Sequence, residues 1–354
     1  MKIIHIVFNL IEGGVSTQTI DIANEQAKSE DVRLIILDDL INEDIASRIS
    51  TKCKVLRINR RVGVKSPLKL LPIVCKLNYY ILRFNPDVIH LHEYKLSRLL
   101  FWKGKIVCTV HGNICFSNKY HGINKFYAIS GAVSNYMKQQ SKKSIIVPNG
   151  IRTKDIRKKM NASANNYTKP KLFHLIQIGR LFVIDKRQDI VLDAIRLLKE
   201  KGIDNFKMHF VGSGPSESML LQRAKDYNIE DVVIFEGNKP QDFIYQHLCD
   251  YDCLIQPSRQ EGFGLTIVEA MAAYVPVLIS DLEGPMEVIG DGQYGMTFQA
   301  GNAIDLANKL TIILRGEYDY SLIGKAYKHA CEEYDISKTA ARYIEEYRKV
   351  ISGY

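Results

Sequence analysis

No apolar run in this 354-residue sequence reaches the ~18–20 positions that an α-helix needs to cross a bilayer, which excludes a spanning helix. There is no Cys-x-x-Cys pair, and the seven cysteines (Cys53, Cys75, Cys108, Cys115, Cys249, Cys253, Cys331) are scattered and odd in number. That speaks against a zinc knuckle or a disulfide framework and for reduced thiols. There is no fixed-period repeat and no low-complexity tract. A cleavable leader is not expected either. MKIIHIVFNLIEGG opens on a lysine and a short apolar stretch, but His5 and Asn9 interrupt it, and Glu12-Gly13-Gly14 stands where a small-residue cleavage site would be. The start therefore reads as the first β-strand of a cytosolic protein, and the two Asn-x-Ser/Thr sequons at Asn161 and Asn166 as polar linker residues.

Acidic residues are missing from one stretch. Between Ile45 and Pro86 stand ten basic residues (Arg48, Lys52, Lys54, Arg57, Arg60, Arg61, Lys65, Lys69, Lys76, Arg83) and no Asp or Glu. Residues 1–150 hold 22 Lys/Arg against 11 Asp/Glu, whereas residues 151–354 hold 26 against 28. The net charge of +9 thus belongs to the first half. Such a patch is either solvated surface or a seat for an anionic partner. It interleaves its cations with Leu77, Tyr79, Tyr80 and Phe84, which suits docking on an anionic lipid surface. No nucleic-acid motif accompanies it.

The remainder is an ordinary globular composition, 46% hydrophobic and 25% charged, long enough for two domains. Continuous apolar runs at 3–8, 32–37, 54–58, 87–92, 105–111 and 144–148 read as strands buried on both faces, the mark of a parallel sheet. Helical spacing fills 16–30 and 66–84, the latter opened by the capping pair Ser66-Pro67. NASANNYTKPK (161–171) reads as a linker. Strand-like runs resume at 172–179, 208–214, 232–237, 253–258 and 275–280, with a helix over 186–202. The expected fold class is α/β: two Rossmann-like domains facing each other across a cleft, residues 1–160 and 161–335, with a last helix at about 336–354 packing back on the first. Open parallel sheets bind ligands beyond the carboxyl ends of their strands. The strand-end loops are accordingly where chemistry is expected.

Three loops carry it. In the first, Gly13 and Gly14 precede a helix and allow backbone amides to approach an anion. In the second, Gly179-Arg180 and Lys186 set two cations at a strand end, a fork and a mobile point charge suited to a diphosphate. In the third, PSRQEGFGLTIVEAMA (257–272), Gly262 and Gly264 expose the backbone and Leu265 begins a helix whose first-turn amides form a second anion cradle. Glu269 leans back along that helix toward the ligand, and Glu261 lies ahead of the amides. Two carboxylates so placed hold sugar hydroxyls with phosphate between. The plainer alternatives are a solvated Arg180 and Lys186, a Glu261 that caps local amides, and a solvated Glu269.

These loops, with PDVIHLH (86–92), TVHG (109–112), VPNGI (147–151), IGRL…KRQD (178–189) and FVGSGP (210–215), resemble the family 4 glycosyltransferases, retaining enzymes of the GT-B fold that use nucleotide-sugar donors. The resemblance implies that Glu261 contacts the donor sugar and Glu269 the ribose. Arg180 and Lys186 would hold the diphosphate, and the Phe263, Gly264, Leu265 and Thr266 backbone the phosphates and sugar. The segment Glu236, Gly237, Asn238, Lys239 would lie by the base, Gly13 and Gly14 would shape the phosphate-facing loop, and His111 would stand near donor sugar and acceptor. Two positions depart from the family: Val15-Ser16-Thr17 follows the first glycine pair, which obscures the acceptor, and Arg187 stands where glycine is common.

The implied mechanism is front-face attack with retention. Arg180, Lys186 and the amides at Gly264–Thr266 would stabilise the leaving diphosphate, and His111 would orient hydroxyls. The expected reaction moves a hexose or N-acetylhexosamine, UDP preferred as carrier, to a glycan, lipid-linked, in bacterial lipopolysaccharide or capsule synthesis at the inner face of the plasma membrane. No cofactor and no metal are expected. The rivals are a related epimerase or phosphorylase and a catalytically silent scaffold. Three decoys are discounted. Asp250-Tyr-Asp252 precedes a buried strand and reads as structural, and His90-x-His92 lacks a third ligand at metal-site spacing. Gly212-Ser-Gly214 begins a dinucleotide pattern that Glu217 breaks.

Overall fold

The computed structural model describes residues 1–63, 67–116, 120–159 and 172–353. Ser66, Lys65, the two sequon asparagines and the 161–171 linker lie outside the described residues. The chain divides into two compact units, Met1–Ile151 with Asp335–Tyr354, and Arg152–Tyr334.

The first unit runs β1 (Lys2–Val7), α1 (Gly14–Gln26), β2 (Asp31–Asp38), α2 (Glu43–Ala46), β3 (Lys54–Arg60), α3 (Pro67–Phe84), β4 (Val88–Leu91), β5 (Lys105–Val110), β6 (Lys125–Ala128), α4 (Gly131–Gln139) and β7 (Ile145–Ile146). All its pairings among the described residues are parallel, in the order β3-β2-β1-β4-β5-β6-β7. The second unit runs β8 (Phe173–Ile178), α5 (Val183–Lys186), α6 (Gln188–Glu200), β9 (Phe206–Val211), α7 (Glu217–Asp226), β10 (Val233–Gly237), α8 (Gln241–His247), β11 (Cys253–Gln256), α9 (Leu265–Ala272), β12 (Val277–Ser280), α10 (Glu283–Val288), β13 (Met296–Phe298), α11 (Ala303–Leu314) and α12 (Ser321–Glu333). Its sheet is also parallel, in the order β10-β9-β8-β11-β12-β13. Both orders follow the doubly wound pattern, in which the strand sequence reverses beside the first strand and leaves a crevice there.

Strand β4 is buried along its whole length, as its continuous apolar run requires. Two strands escaped the periodicity: KFYA of β6 and MTF of β13 are too short to stand out from their flanks. The expected 186–202 helix is broken at Arg187, whose φ of 52° ends α5 and begins α6.

Helix α13 (Ile336–Ser352) belongs to the first unit. Asp335 caps it through the Ser337 amide at 3.0 Å, and Ile336, Ala340, Tyr343, Tyr347 and Val350 form the buried stripe expected of an amphipathic helix. Tyr343 and Tyr347 enter the core with Val88, Val107 and Tyr127. The VPNGI glycine admits this helix, since a Cβ on Gly150 would lie 2.5 Å from Thr339 Oγ1.

The units divide nine residues before the expected 160/161 boundary. Ile151 is held by the Ile336 amide at 2.9 Å, while Arg152 pairs with Asp242 at 2.8 Å. The Arg157 amide then donates to the Tyr245 carbonyl, and Lys159 Nζ meets Asp252 at 2.7 Å. The composition signal marked the polar loop, but the side-chain ties change sides earlier. The same bonds account for Asp250 and Asp252, which serve Arg157, Lys159 and the His174 amide and are structural.

The basic stretch also needs correction. Leu77 and Phe84 are buried, and Tyr80 accepts from Arg33 at 3.0 Å, so they face inward. The outward face of α3 carries Leu68, Leu71, Tyr79 and Leu82 among the exposed cations Lys69, Lys76 and Arg83. Arg48, Arg57 and Arg60 pair with Asp21, Glu43 and Asp38.

Candidate active site

In each unit the candidate residues sit where the strand order reverses. In the first, the loop after β1 carries Gly13 and Gly14, and the chain leaving β4 carries His92. Gly13 holds φ 142°, a value that glycine tolerates, and precedes α1 without a side-chain cap. A cavity of about 720 Å³ is lined by Asn9, Glu12, Gly13, Gly14, His92, Glu93, Lys95 and His111, among others. His111 leaves the end of β5, and burial lowers its imidazole to about 4, so it is neutral at pH 7. Its Nε2 lies 3.1 Å from His92 Nδ1. Burial raises the Glu93 carboxyl above its ordinary range.

Behind this cavity the structure supplies what sequence spacing did not. His5 is the direct register partner of His90 across β1 and β4, and ligand atoms of His5, His90 and His92 lie within 4.8 Å of one another. The third histidine stands 85 residues before the pair, so only strand pairing could reveal it. Every ring nitrogen of the three has a hydrogen-bond partner: Gln26 and His92 for His5, Tyr347 and Thr109 for His90, His5 and His111 for His92.

In the second unit, Gly179 follows β8 with φ 149° and open space where a Cβ would point. Arg180 is exposed, its guanidinium 5.6 Å from the Phe182 ring centroid, and no ion pair to it is found among the described residues. Lys186 Nζ meets Glu261 Oε2 at 2.6 Å, with both side chains partly buried. The residues assigned separately to phosphate and to sugar therefore form a direct pair. Gln256 completes it: its Nε2 donates to Glu261 Oε2 at 3.2 Å and its Oε1 accepts from Thr266 at 3.4 Å. Sequence reading passed over Gln256, whose signal was an amide in a fully buried strand.

The loop after β11 then turns as its glycines require. Gly262 and the buried Phe263 lead to Gly264, which has φ 103° and caps α9 with no side chain. Leu265 opens the helix, and its leading amides have no side-chain acceptor at the cap. Gly284 was also missed: a Cβ there would lie 2.7 Å from the Glu261 and Gly262 carbonyl oxygens, so α10 presses on the loop. Glu269, in the second turn of α9, is only 3% exposed and accepts from Gln241 Nε2 at 2.6 Å. Glu236 pairs with His209 at 2.9 Å and Lys239 at 3.6 Å, and the His209 bond first of all lowers its carboxyl. Gly237 follows with φ 67°, then Asn238.

Gly212 and Gly214 serve packing. A Cβ on Gly212 would lie 2.1 Å from the Gly179 carbonyl oxygen, and one on Gly214 2.4 Å from that of Leu181. They let the β9 loop lie against the Arg180 loop.

Two family models match the chain, "Glycosyltransferase Family 4" over residues 12–155 and "Glycosyl transferases group 1" over residues 157–330, together nearly all of it. The chain belongs to the family 4 glycosyltransferases. A relative named O-antigen biosynthesis glycosyltransferase WclY, from Escherichia coli, is 25% identical to this glycosyltransferase over 99% of both chains. The N-acetyl-alpha-D-glucosaminyl L-malate synthase of Bacillus anthracis is 30% identical over 50% of this chain, and the match spans only 45% of that protein. Among solved structures, Anabaena HepE in complex with UDP-glucose superposes with a TM-score of 0.81 at 20% identity, covering 99% of this chain and all of that one. The fold of this glycosyltransferase is accordingly GT-B.

Proposed function

We propose that this glycosyltransferase moves a hexosyl or N-acetylhexosaminyl group, with retention, from a nucleotide-sugar donor, UDP preferred, to a lipid-linked glycan in bacterial cell-surface polysaccharide assembly. The observation that carries the donor half is the Lys186–Glu261 pair beside the uncapped start of α9, with the exposed Arg180 on the same sheet edge. Breaking a sugar–phosphate bond builds negative charge on the leaving diphosphate. Two cations and a row of helix amides are preorganised to receive it. Glu261 holds the transferred sugar, and donor binding redirects Lys186 toward phosphate. Glu269 holds the ribose in exchange for its bond to Gln241, and Gly237 and Asn238 face the base. No metal takes part in this scheme.

The O-antigen enzyme named above and the UDP-glucose complex of the solved neighbour support this setting and this donor. No helix among the described residues is long and apolar enough to cross a membrane. The exposed Leu68, Leu71, Tyr79 and Leu82 on α3, set among Lys69, Lys76 and Arg83, would dock the protein on the anionic inner face of the plasma membrane, where a lipid-linked acceptor is found. Nucleotide release from a panel of donors, each offered with a lipid-linked acceptor mixture, tests the whole reading. Release without transfer, or interconversion of the donor sugar, would replace it with a hydrolase or epimerase. Sedimentation with anionic vesicles at low salt tests the docking, and a protein that stays in the supernatant would end that part of it.

A further inference from the structure

We propose that Gln26 is a positioning residue for His111, acting through a directional hydrogen-bond relay of His5 and His92. The relay's consequence for the ligand rests on the transferase reading; the relay itself does not. Gln26 Oε1 is an acceptor only, and it lies 2.8 Å from His5 Nε2, so that nitrogen carries the proton. A neutral His5 then presents a bare Nδ1, which at 3.0 Å accepts from His92 Nε2–H. His92 in turn presents a bare Nδ1, which at 3.1 Å accepts from His111 Nε2–H. The rings of each hydrogen-bonded pair are tilted by only 28° and 23°. The end of the relay is a His111 whose Nδ1 keeps its lone pair.

The sense of the relay is set at its far end. The other half of the Gln26 amide, Nε2, donates to Tyr347 OH at 3.5 Å, and Tyr347 OH lies 2.5 Å from His90 Nδ1. Turning the amide over would set an NH₂ against His5 and an oxygen against Tyr347 and so reverse every bond along the chain, which makes the orientation of this one amide the element that sets the sense of the relay. Full burial keeps His5, His90 and His92 uncharged, so each ring can donate only once. A metal ion on these histidines would have to displace a hydrogen bond at one nitrogen of each ring.

His111 lines the cavity beside Gly13 and Gly14. A neutral imidazole offering a lone pair accepts a hydroxyl proton and gives no charge to a phosphate. The relay thus commits this wall to a sugar hydroxyl and leaves the anion to other groups.

The test is two-bond ¹H–¹⁵N correlation on the full chain labelled with ¹⁵N-histidine, which reads the tautomer of each ring, together with elemental analysis after a chelator wash. The expected result is the Nε2–H form at His5, His92 and His111, with no bound metal. In Gln26→Leu, the Nδ1–H form should appear at His111, and kcat should fall about tenfold with donor KM changed less than about twofold. The Nδ1–H form at His111 in the unaltered protein, a stoichiometric metal, or a Gln26→Leu variant with unchanged tautomers and kcat would each overturn the relay. Should that variant not fold, the spectrum of the unaltered protein still decides. The tautomer readout needs no donor, so absence of any transfer reaction would count against the proposed function alone.

Discussion

In the first unit the polar groups behind the site are buried or half-buried and uncharged, three histidines and an amide in series; in the second they are ions in partial contact with water, Lys186 against Glu261 and Glu236 against Lys239. Both sets hang from the same sheet order at the same kind of crevice. The contrast follows from what each must hold. A leaving diphosphate needs charge that is present before the reaction and held in place. A sugar hydroxyl needs a single acceptor with a defined direction, and a buried neutral chain provides direction without the cost of a buried ion.

Breaking the charged half should have the largest effect. Lys186→Ala and Arg180→Ala are each expected to lower kcat/KM by about 10²–10³-fold, the loss typical of one oxyanion-stabilising group. Glu261→Gln should lose less than Glu261→Ala, because an amide still accepts from a sugar hydroxyl. Steady-state kinetics of the four variants check this, and near-normal rates in all of them would remove the donor assignment.

The neutral half should show itself through pH. His5 and His111 are held at about 4 against an ordinary value of 6.5, by burial. Their folded values lie below the unfolded one, so the unfolded chain binds more protons between them. The stability they lend is whole above about 6.5 and is lost as pH falls toward about 4. Glu93, raised by burial, contributes with the opposite sign, but it is one group against several. A thermal melt at pH 5 should therefore fall several degrees below that at pH 7.5, and the difference should shrink in His5→Gln. A flat profile would mean that these rings are charged or solvated.

Much of this was legible in the sequence, for definite reasons. Runs such as IIHIV and VRLIIL are too continuous for a half-buried sheet, and EGFG followed by an apolar helix forces a turn whose amides face outward. What escaped depends on contacts between distant positions. His5 joins His90 only through the β1–β4 pairing, Gly284 is explained only by the loop it lies against, and the unit boundary is set by Arg157 and Lys159 rather than by the polar tract that follows them. The inward face of α3 was misread because a basic helix with one buried stripe and one exposed apolar stripe has two competing faces.

A packing test separates structure from chemistry in the second unit. Gly212→Ala sets a methyl group 2.1 Å from the Gly179 carbonyl oxygen, at a φ of 134° that alanine resists. A backbone atom cannot swing away as a side chain would, so the loop carrying Arg180 must shift. The expected cost is about 2–4 kcal/mol of stability, read by denaturant unfolding. Donor affinity should weaken although no group that touches donor has been removed. An unchanged midpoint would show that the two loops are not in this close contact.

The smallest effect is expected at Arg187, where glycine is common in the family. Its φ of 52° and ψ of 42° are left-handed, a conformation that costs a non-glycine residue about 1–2 kcal/mol. Arg187→Gly would relieve that strain. It would also remove the two contacts to Asp189 at 3.0 and 3.1 Å, a partly exposed pair worth about 0.2–1 kcal/mol, and loosen the unfolded chain by about 0.4–1 kcal/mol. These terms nearly cancel, so the variant should unfold within about 1 kcal/mol of the parent. Transfer rates should also be close to the parent's, since the Arg187 guanidinium is occupied by Asp189 and Lys186 still ends α5. A large loss of activity with intact stability would instead bring Arg187 into the diphosphate site as a third cation, and would make the departure from glycine a functional one.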